Sequence, residues 1–377
     1  MNTNHFVYIG LGSNQGDRLA TLQKGINAIF EEIGAIEATS SVYQTPAWGF
    51  KGDDFYNACI KVKTLYAPDQ VLSLLLTIEN RLGRKRKDGV GYTSRTIDLD
   101  ILYYDLRIIK EQNLTIPHPL LHQRAFVLKP LSEIAPELVH PVFKKTNLIL
   151  SKELDEDDQV MLSTDSLKDP ASYFFKDMVK YIAVEGVIGA GKTTLARMIA
   201  EEFNGLPLYE NFKENDFLPK FYRDMDRYAF PLEMSFLAER YHQLLEVLDQ
   251  YNLFHDFIVS DYEISKSLIF SKVTLAEEEF KLYRQIFEIM YSKIKKPDVY
   301  VYLYQNVERL LIHIKKRGRA YEQQIQPDYL VKLQKGYLAY LKSQLDLNYI
   351  IIDVTEKDFT ANRKDFTDML TRIKNNF

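Results

Sequence analysis

A chain of 377 residues has room for two domains of ordinary size, and 46% hydrophobic with 27% charged residues is a globular composition able to bury large cores. The net charge of −4 argues against a general nucleic-acid or membrane-surface binder and leaves only local basic patches for anions. A single cysteine, Cys59, excludes an internal disulfide, and no apolar run approaches a signal core or the roughly 20 residues of a membrane span, so a reducing cytoplasm is expected.

Phe6 to Leu11 is an apolar, β-rich run that ends in the turn sequence Gly10-Leu-Gly-Ser-Asn-Gln-Gly16. Asp17 then opens a helix to about Ile33, with Leu19, Leu22, Ile26, Ile29 and Phe30 at helical spacing. Ser40 to Tyr43 and Ala58 to Thr64 read as strands around an aromatic, turn-rich loop, Thr45 to Asn57. A second helix is predicted from Pro68 to about Leu82, followed by the basic loop Arg84-Lys-Arg-Lys87 and a glycine-rich stretch to Arg95. Thr96 to Tyr104 alternates as a strand does. Two helices interleaved with strands predict an α+β sandwich of the ferredoxin type for this half.

Asp98 and Asp100 are its chemical centre. Two apart on a strand, they share a face, and paired carboxylates repel unless a cation such as Mg²⁺ neutralises them. Arg84, Arg86 and Arg95 lie just upstream, where guanidiniums could clamp a triphosphate; from charge alone a solvated loop is the alternative reading of the basic run.

Six segments in order now carry a resemblance: Phe6-Val-Tyr-Ile-Gly-Leu-Gly-Ser-Asn14, Tyr43-Gln-Thr-Pro46, Phe55-Tyr-Asn57, Arg95-Thr-Ile-Asp-Leu-Asp100, Ile116-Pro-His-Pro119, and His122 to Glu137. Together they resemble the 6-hydroxymethyl-7,8-dihydropterin pyrophosphokinase family. The resemblance implies transfer of the β,γ-diphosphate of ATP to the pterin's hydroxymethyl group, a step of folate synthesis. It implies two Mg²⁺ ions on Asp98 and Asp100, and a pterin ring between Phe55 and Phe126, with Asn57 and the backbone around Thr45 reading its amide edge. Arg84, Arg95, His118 and Arg124 would face ATP. Spacing alone leaves ordinary core packing open for Phe55 and Phe126. The loop before Arg95 departs from the family pattern, with Tyr92 near the usual tryptophan's place and no arginine between Lys87 and Arg95.

Leu148 to Phe175 reads as a junction, with the acidic run Glu153-Leu-Asp-Glu-Asp-Asp158 and a polar stretch from Ser163 to Ser172. The expected division is a first domain at 1–160, a solvated linker at 161–178 and a second domain at 179–377.

The second half begins with Tyr181 to Val184, an apolar strand running into Gly186-Val-Ile-Gly189-Ala-Gly191-Lys192-Thr193-Thr194, and Leu195 to Phe203 reads as a helix. A strand, a glycine-rich loop and a helix start are what a phosphate cradle needs: backbone N–H groups converge on the anion, Lys192 reaches its outer oxygens, and Thr193 can hold Mg²⁺. Further strands are predicted at Leu208–Phe212, Phe257–Asp261, Asp298–Tyr304 and Tyr349–Val354. Helices are expected over Phe217–Tyr251, with Pro231 marking a break or start, and over Leu275–Ile294. Such alternation predicts a doubly wound parallel sheet with ligands at its carboxyl edge, where Glu210 and Asp261 emerge.

This half resembles the deoxyribonucleoside kinase family through the phosphate loop, Leu208-Tyr-Glu-Asn-Phe212, Phe217-Leu-Pro-Lys-Phe-Tyr222, Phe236-Leu-Ala-Glu-Arg240 and Lys316-Arg-Gly-Arg-Ala-Tyr-Glu322. The resemblance implies that Glu210 takes the proton from a 5′-hydroxyl and that Tyr222 and Glu322 hold the 3′-hydroxyl. Arg317 and Arg319 would form the lid, although they also read as a solvated basic helix end. Asp261 would serve Mg²⁺ through water. Two positions depart from the pattern: Tyr262-Glu263 stands where arginine and serine are common after the acid, and Glu233 stands where many members read the base with glutamine. Two readings follow: a bifunctional enzyme, with a purine deoxyribonucleoside preferred, or an active pterin enzyme carrying a nucleotide-binding sensor or assembly module. Pairing of two copies through the kinase half is a further expectation.

Overall fold

The computed structural model describes residues 3–47, 52–84, 94–154, 159–175, 178–211, 215–248 and 254–377. The chain forms two compact units, Met1–Tyr173 and Phe174–Phe377. The expectations for Arg86 and Tyr92 fall outside the described residues.

The first unit is built on an antiparallel sheet. Strand β1 (His5–Ser13) leads to helix α1 (Arg18–Glu32), then β2 (Gly34–Thr39), β3 (Tyr43–Thr45), β4 (Phe55–Thr64), α2 (Pro68–Arg81) and β5 (Asp98–Tyr104). The order is β5-β1-β4-β3, and β4 also pairs with β2. Helix α1 starts where Asp17 accepts the Ala20 N–H at 3.0 Å, a side-chain cap for an otherwise orphaned donor. Its Leu22, Ile26, Ile29 and Phe30 are buried, as are Val71, Leu75 and Ile78 of α2. Val7, Ile9 and Leu11 of β1 are buried in the same core, while the alternate positions Tyr8, Gly10 and Gly12 turn to the opposite face.

That opposite face was less legible. After a small hairpin, β6 (Ile109–Lys110) and β7 (Thr115–Ile116), a helix unforeseen in the sequence, α3 (Ala125–Ile134), packs on β4. Val127, Leu128 and Leu131 of α3 join Tyr8, Cys59 and Leu102 in a second apolar cluster. The strand expected at Ser40–Tyr43 is corrected to two, β2 and β3, because the chain steps along β4 with an irregular register after Ile36.

The linker is corrected as well. Leu148 lies in α4 (Asn147–Lys152), capped by Thr146, and Met161–Leu162 forms β8, pairing with Gln44 and Tyr43 of β3. Ser163 N–H donates to Val42 O at 2.9 Å, and Gln23 bonds both the N–H and the carbonyl of Lys168 at 2.8 Å. An edge strand offers unpaired backbone groups to any extended segment, and a polar composition does not announce such pairing. Phe174 and Phe175 belong to the second unit, where both rings pack on Phe203.

Among the described residues the second unit has five parallel strands: β9 (Tyr181–Gly186), β10 (Gly205–Leu208), β11 (Phe257–Ser260), β12 (Val299–Tyr304) and β13 (Tyr349–Asp353). Their order, β10-β11-β9-β12-β13, puts the strand before the phosphate loop at the centre. The connecting helices are α5 (Lys192–Phe203), α6 (Leu218–Phe221), α7 (Met225–Leu248), α8 (Ser265–Thr274), α9 (Glu277–Tyr291), α10 (Val307–Arg317), α11 (Pro327–Ser343) and α12 (Arg363–Lys374). Pro231 neither breaks nor starts α7 but lies inside it. Helix α8 was not anticipated: its residues Ser265, Lys266, Ser267, Ile269 and Ser271 are buried, so it lacks the apolar stripe by which an amphipathic helix is recognised.

Candidate active sites

In the first unit, Asp98 and Asp100 of β5 point from the face that α3 covers into one cavity. Its wall also includes Gly12, Thr45, Phe55, Asn57, Arg95, Arg124 and Phe126. A side chain at Gly12 would meet Asn57 Oδ1 at 3.3 Å, so the glycine keeps the floor open. Asn57 donates to Thr45 Oγ1 at 2.9 Å, which fixes the amide's orientation. The Arg124 guanidinium lies 5.6 Å from the centre of the Phe126 ring.

The carboxylates are unequally partnered. Asp98 accepts from Arg84 at 2.6 Å and from Arg95, while Arg84 also bonds the buried Glu79. Burial, with Asp98 and Glu79 alongside, pushes the Asp100 carboxyl up to about 7. Two acid side chains on one wall, one of them shifted upward chiefly by burial and then by its acidic neighbours, form an oxygen-only donor set, which suits a hard cation such as Mg²⁺. Among the described residues no group of three or more acidic, histidine or cysteine ligands forms a self-sufficient metal cluster. Phosphate and water would have to complete the shell. Arg84 lies in the adjoining groove with Glu79 and Asp100. His118 stands beside the cavity rather than in its wall; burial and the neighbouring Arg124 push its imidazole down to about 4, so it is neutral.

In the second unit the loop between β9 and α5 bends through Gly189 and Gly191, at φ 87° and 94°. A Cβ at Gly189 would also sit 2.9 Å from the Leu310 carbonyl. The Lys192 ammonium folds onto the carbonyls of Gly186 and Val187 at 2.8 and 3.2 Å. Burial, with Lys266 near, lowers its pKa to about 8. Thr193 Oγ1 donates to the Asp261 carboxylate, an oxygen pair that again suits Mg²⁺, and Asp261 also accepts the Glu210 N–H at 2.8 Å. Thr194, one residue deeper in α5, is not part of the pocket wall.

Glu210 is a correction in element and in surroundings. The strand expected over Leu208–Phe212 ends at Leu208, leaving Glu210 in the loop beyond, at the carboxyl edge. Although burial alone would raise its carboxyl, Lys266 and Arg240 hold it well below the usual carboxylate range. Arg240 reaches Oε1 at 2.9 and 2.5 Å, and Lys266 reaches Oε2 at 2.6 Å.

Around this acid the pocket gathers Tyr222, Glu233, Phe236, Arg317, Arg319, Tyr321 and Glu322. Arg317 and Arg319 both bind Glu322, the latter at 3.1 Å, so they are not a freely solvated helix end. Tyr222 stacks on Tyr321 with ring centres 5.8 Å apart. Glu233 is 2% exposed, accepts from Thr274 Oγ1 at 3.1 Å, and is pushed up to about 7 by burial.

Sequence reading missed both cations on Glu210, as well as the pocket rings Phe236 and Tyr321. Arg240 had a legible signal, since it stands seven residues after Glu233 on one helix and therefore on the same face. Lys266 had only a faint one, a lone cation in the run Ile264-Ser-Lys-Ser-Leu-Ile269.

Residues 8–136 match the family model for 7,8-dihydro-6-hydroxymethylpterin-pyrophosphokinase, and residues 182–377 match the model for deoxynucleoside kinase. The first half is 41% identical over 140 residues to the 2-amino-4-hydroxy-6-hydroxymethyldihydropteridine pyrophosphokinase of Aquifex aeolicus, covering 37% of this chain and 86% of that protein. The second half is 34% identical over 198 residues to the deoxyguanosine kinase of Bacillus subtilis, covering 52% of this chain and 96% of that protein. It is also similar to a solved deoxyadenosine kinase from M. mycoides with bound dATP, at 25% identity and a TM-score of 0.46, over 51% of this chain and 98% of that one.

Proposed function

This chain belongs to two families, the dihydropterin pyrophosphokinases through its first half and the deoxynucleoside kinases through its second, and from that premise we propose how each site works. The protein is a bifunctional transferase that phosphorylates a deoxynucleoside and pyrophosphorylates a hydroxymethyl dihydropterin.

In the first half, the strand order β5-β1-β4-β2 with α1 and α2 as crossovers supports the ferredoxin-like description. The pterin lies along Phe55 and Phe126, and Asn57, oriented by Thr45, reads its amide edge. The hydroxymethyl oxygen attacks the β-phosphorus of ATP, and AMP leaves. Arg84, Arg95 and Arg124 screen the phosphates, with neutral His118 as a hydrogen-bonding neighbour. Mg²⁺ held by Asp98 and Asp100 would neutralise charge on the transferring diphosphate. The observation that carries this reading is the Asp98–Asp100 pair, set in one cavity wall with Arg95 and Arg124.

In the second half, Glu210 takes the 5′-hydroxyl proton as that oxygen attacks the γ-phosphorus of ATP, and ADP leaves. The loop's N–H groups and Lys192 hold the donor's phosphates, and Arg317 and Arg319 gather the developing charge. Thr193 and Asp261 would hold Mg²⁺, which would supply positive charge to the donor's phosphates. Tyr222 and Glu322 take the 3′-hydroxyl, which selects a deoxyribose. Kinase activity rests on the ionised, twice-clamped Glu210 beside the phosphate loop, and this disfavours the sensor reading.

The base is a purine, deoxyguanosine before deoxyadenosine. Ionised Glu233 offers two acceptors, which meet the adjacent N1–H and amine of guanine; adenine leaves one unsatisfied, at a cost of about 1–3 kcal/mol. The relative named deoxyguanosine kinase supports the same order. Steady-state kcat/KM of the full chain for four deoxynucleosides, beside pterin turnover, tests both halves. A pyrimidine preference would end the base assignment, and absence of either activity would end that half's reading.

A further inference from the structure

The deoxynucleoside kinase family commonly carries arginine and serine after the acid that ends its second strand, and here Tyr262 and Glu263 stand there. Neither points to the reaction. Tyr262 is fully buried in the apolar cluster that includes Leu237 and Ile264, and its hydroxyl donates to Gln243 at 2.7 Å. Glu263 is also buried, with its N–H on the Glu185 carboxylate at 2.7 Å. The Tyr262 hydroxyl ends on Gln243 rather than on Glu210, so this position brings the acid no cation.

We propose that Lys266 is a positioning residue that orients Glu210 for the 5′-hydroxyl from the first turn of α8. The clamp is two-sided. Arg240 from α7 holds Oε1 at 2.5 Å and Lys266 from α8 holds Oε2 at 2.6 Å, so the carboxylate plane is fixed by cations on two different helices. Helix α8 also steadies the other cation, since Arg240 Nη1 donates to Ser267 Oγ at 2.5 Å. Lys266 is 5% exposed and Arg240 3%, so both charges are kept out of water and neither is retained without a partner. The small area of Lys266 that remains open faces the pocket of Lys192 and Thr193, where a merely structural ion pair need not be. A positioning role differs from a binding one: without Lys266, nucleoside and ATP still dock, but the base is no longer aimed.

This inference rests on the reading of Glu210 as the base. Its test uses the full chain and a thiol swap, because the only other cysteine, Cys59, is buried in the first unit. K266C lowers nucleoside kcat roughly a hundredfold, the usual loss when one aligned polar partner is removed. Its KM values for ATP and deoxyguanosine stay within about threefold, since an interaction used mainly beyond the ground state shows in kcat. Pterin turnover is unchanged. Alkylation with 2-bromoethylamine then rebuilds a lysine-like ammonium at 266, verified by mass, and restores kcat to within about tenfold of wild type.

Wild-type kcat in K266C, a raised KM with kcat intact, or a loss that complete aminoethylation does not recover each overturns the clamp. A wild-type chain that phosphorylates no deoxynucleoside overturns instead the pocket reading beneath it. An active wild type with an indifferent K266C overturns the clamp alone.

Discussion

The two halves use one donor, ATP, and surround their acids differently. In the first unit Asp98 and Asp100 share the wall with Arg95 and Arg124, and burial first, with Asp98 and Glu79 alongside, pushes the Asp100 carboxyl up to about 7. In the second, cations dominate: Arg240 and Lys266 keep Glu210 ionised despite its burial, and Lys192, Arg317 and Arg319 line the same pocket or its loop. A site proposed to recruit metal has one acid, Asp98, clamped by Arg84 and Arg95, beside a second, Asp100, whose carboxyl is raised by burial. One that must keep a base ready balances its carboxylate within the protein. The same residue type, an acid near a sheet's end, therefore does different work according to what surrounds it.

The largest effect expected from this contrast is at the paired acids. D98A or D100A should reduce pyrophosphoryl transfer below detection while deoxynucleoside phosphorylation by the same sample stays at wild-type rate. Robust pterin turnover by either variant at ordinary Mg²⁺ would remove the metal-recruiting half of the comparison. Next comes K192A, expected to lower nucleoside phosphorylation by about 10³-fold or more and to leave pterin turnover alone. Simultaneous loss of both activities in a folded sample would mean that the two sites are not independent. A smaller change follows at Asn57. N57A removes a buried amide that Thr45 orients, and the KM for pterin should rise roughly ten- to hundredfold, for about 1–3 kcal/mol; an unchanged KM would take Asn57 out of the substrate contact.

The smallest expected effect is a pH dependence. Burial raises the Glu233 carboxyl to about 7, so raising pH through that value converts it from a donor–acceptor acid to a two-acceptor carboxylate. The deoxyguanosine-to-deoxyadenosine ratio of kcat/KM should therefore climb, by up to about tenfold, between mildly acidic and mildly alkaline buffer. E233Q, which cannot ionise, should flatten that slope. A wild-type ratio indifferent to pH would show that another group reads the base.

Legibility in the sequence followed a physical rule. Periodic features could be read: the β5 alternation that turns Asp98 and Asp100 to one face, the capped stripe of α1, and the strand–loop–helix passage through Gly186 to Thr194. What escaped depends on long-range pairing or on burial of polar groups. Strand β8 is held by backbone bonds to β3, which its composition does not encode. Helix α8 is buried through serines and a lysine, so it has no stripe to detect. Helix α3 begins at Ala125, with the Leu121 and Arg124 turn before it and Pro130 inside, and its local signals argue against a helix that packing nonetheless supports. Lys266 acquires its meaning only when α8 is folded against Glu210.

The placement of β9 also bears on how the protein is made. A ribosome releases the chain from its N-terminus, and the first unit can complete its sheet once Leu162 has emerged to pair with Tyr43. The second unit has no such early closure. Its central strand waits for β11 and β12 as neighbours, and the edge strand β13 ends at Asp353, 191 residues beyond Leu162. At about 5–20 residues per second, the interval between those two events is roughly ten to forty seconds. For that time a completed first unit is tethered to an unfinished second one, whose apolar β9 gains its second neighbour only with β12 and whose sheet closes only with β13, and the demand for chaperones falls on the later half.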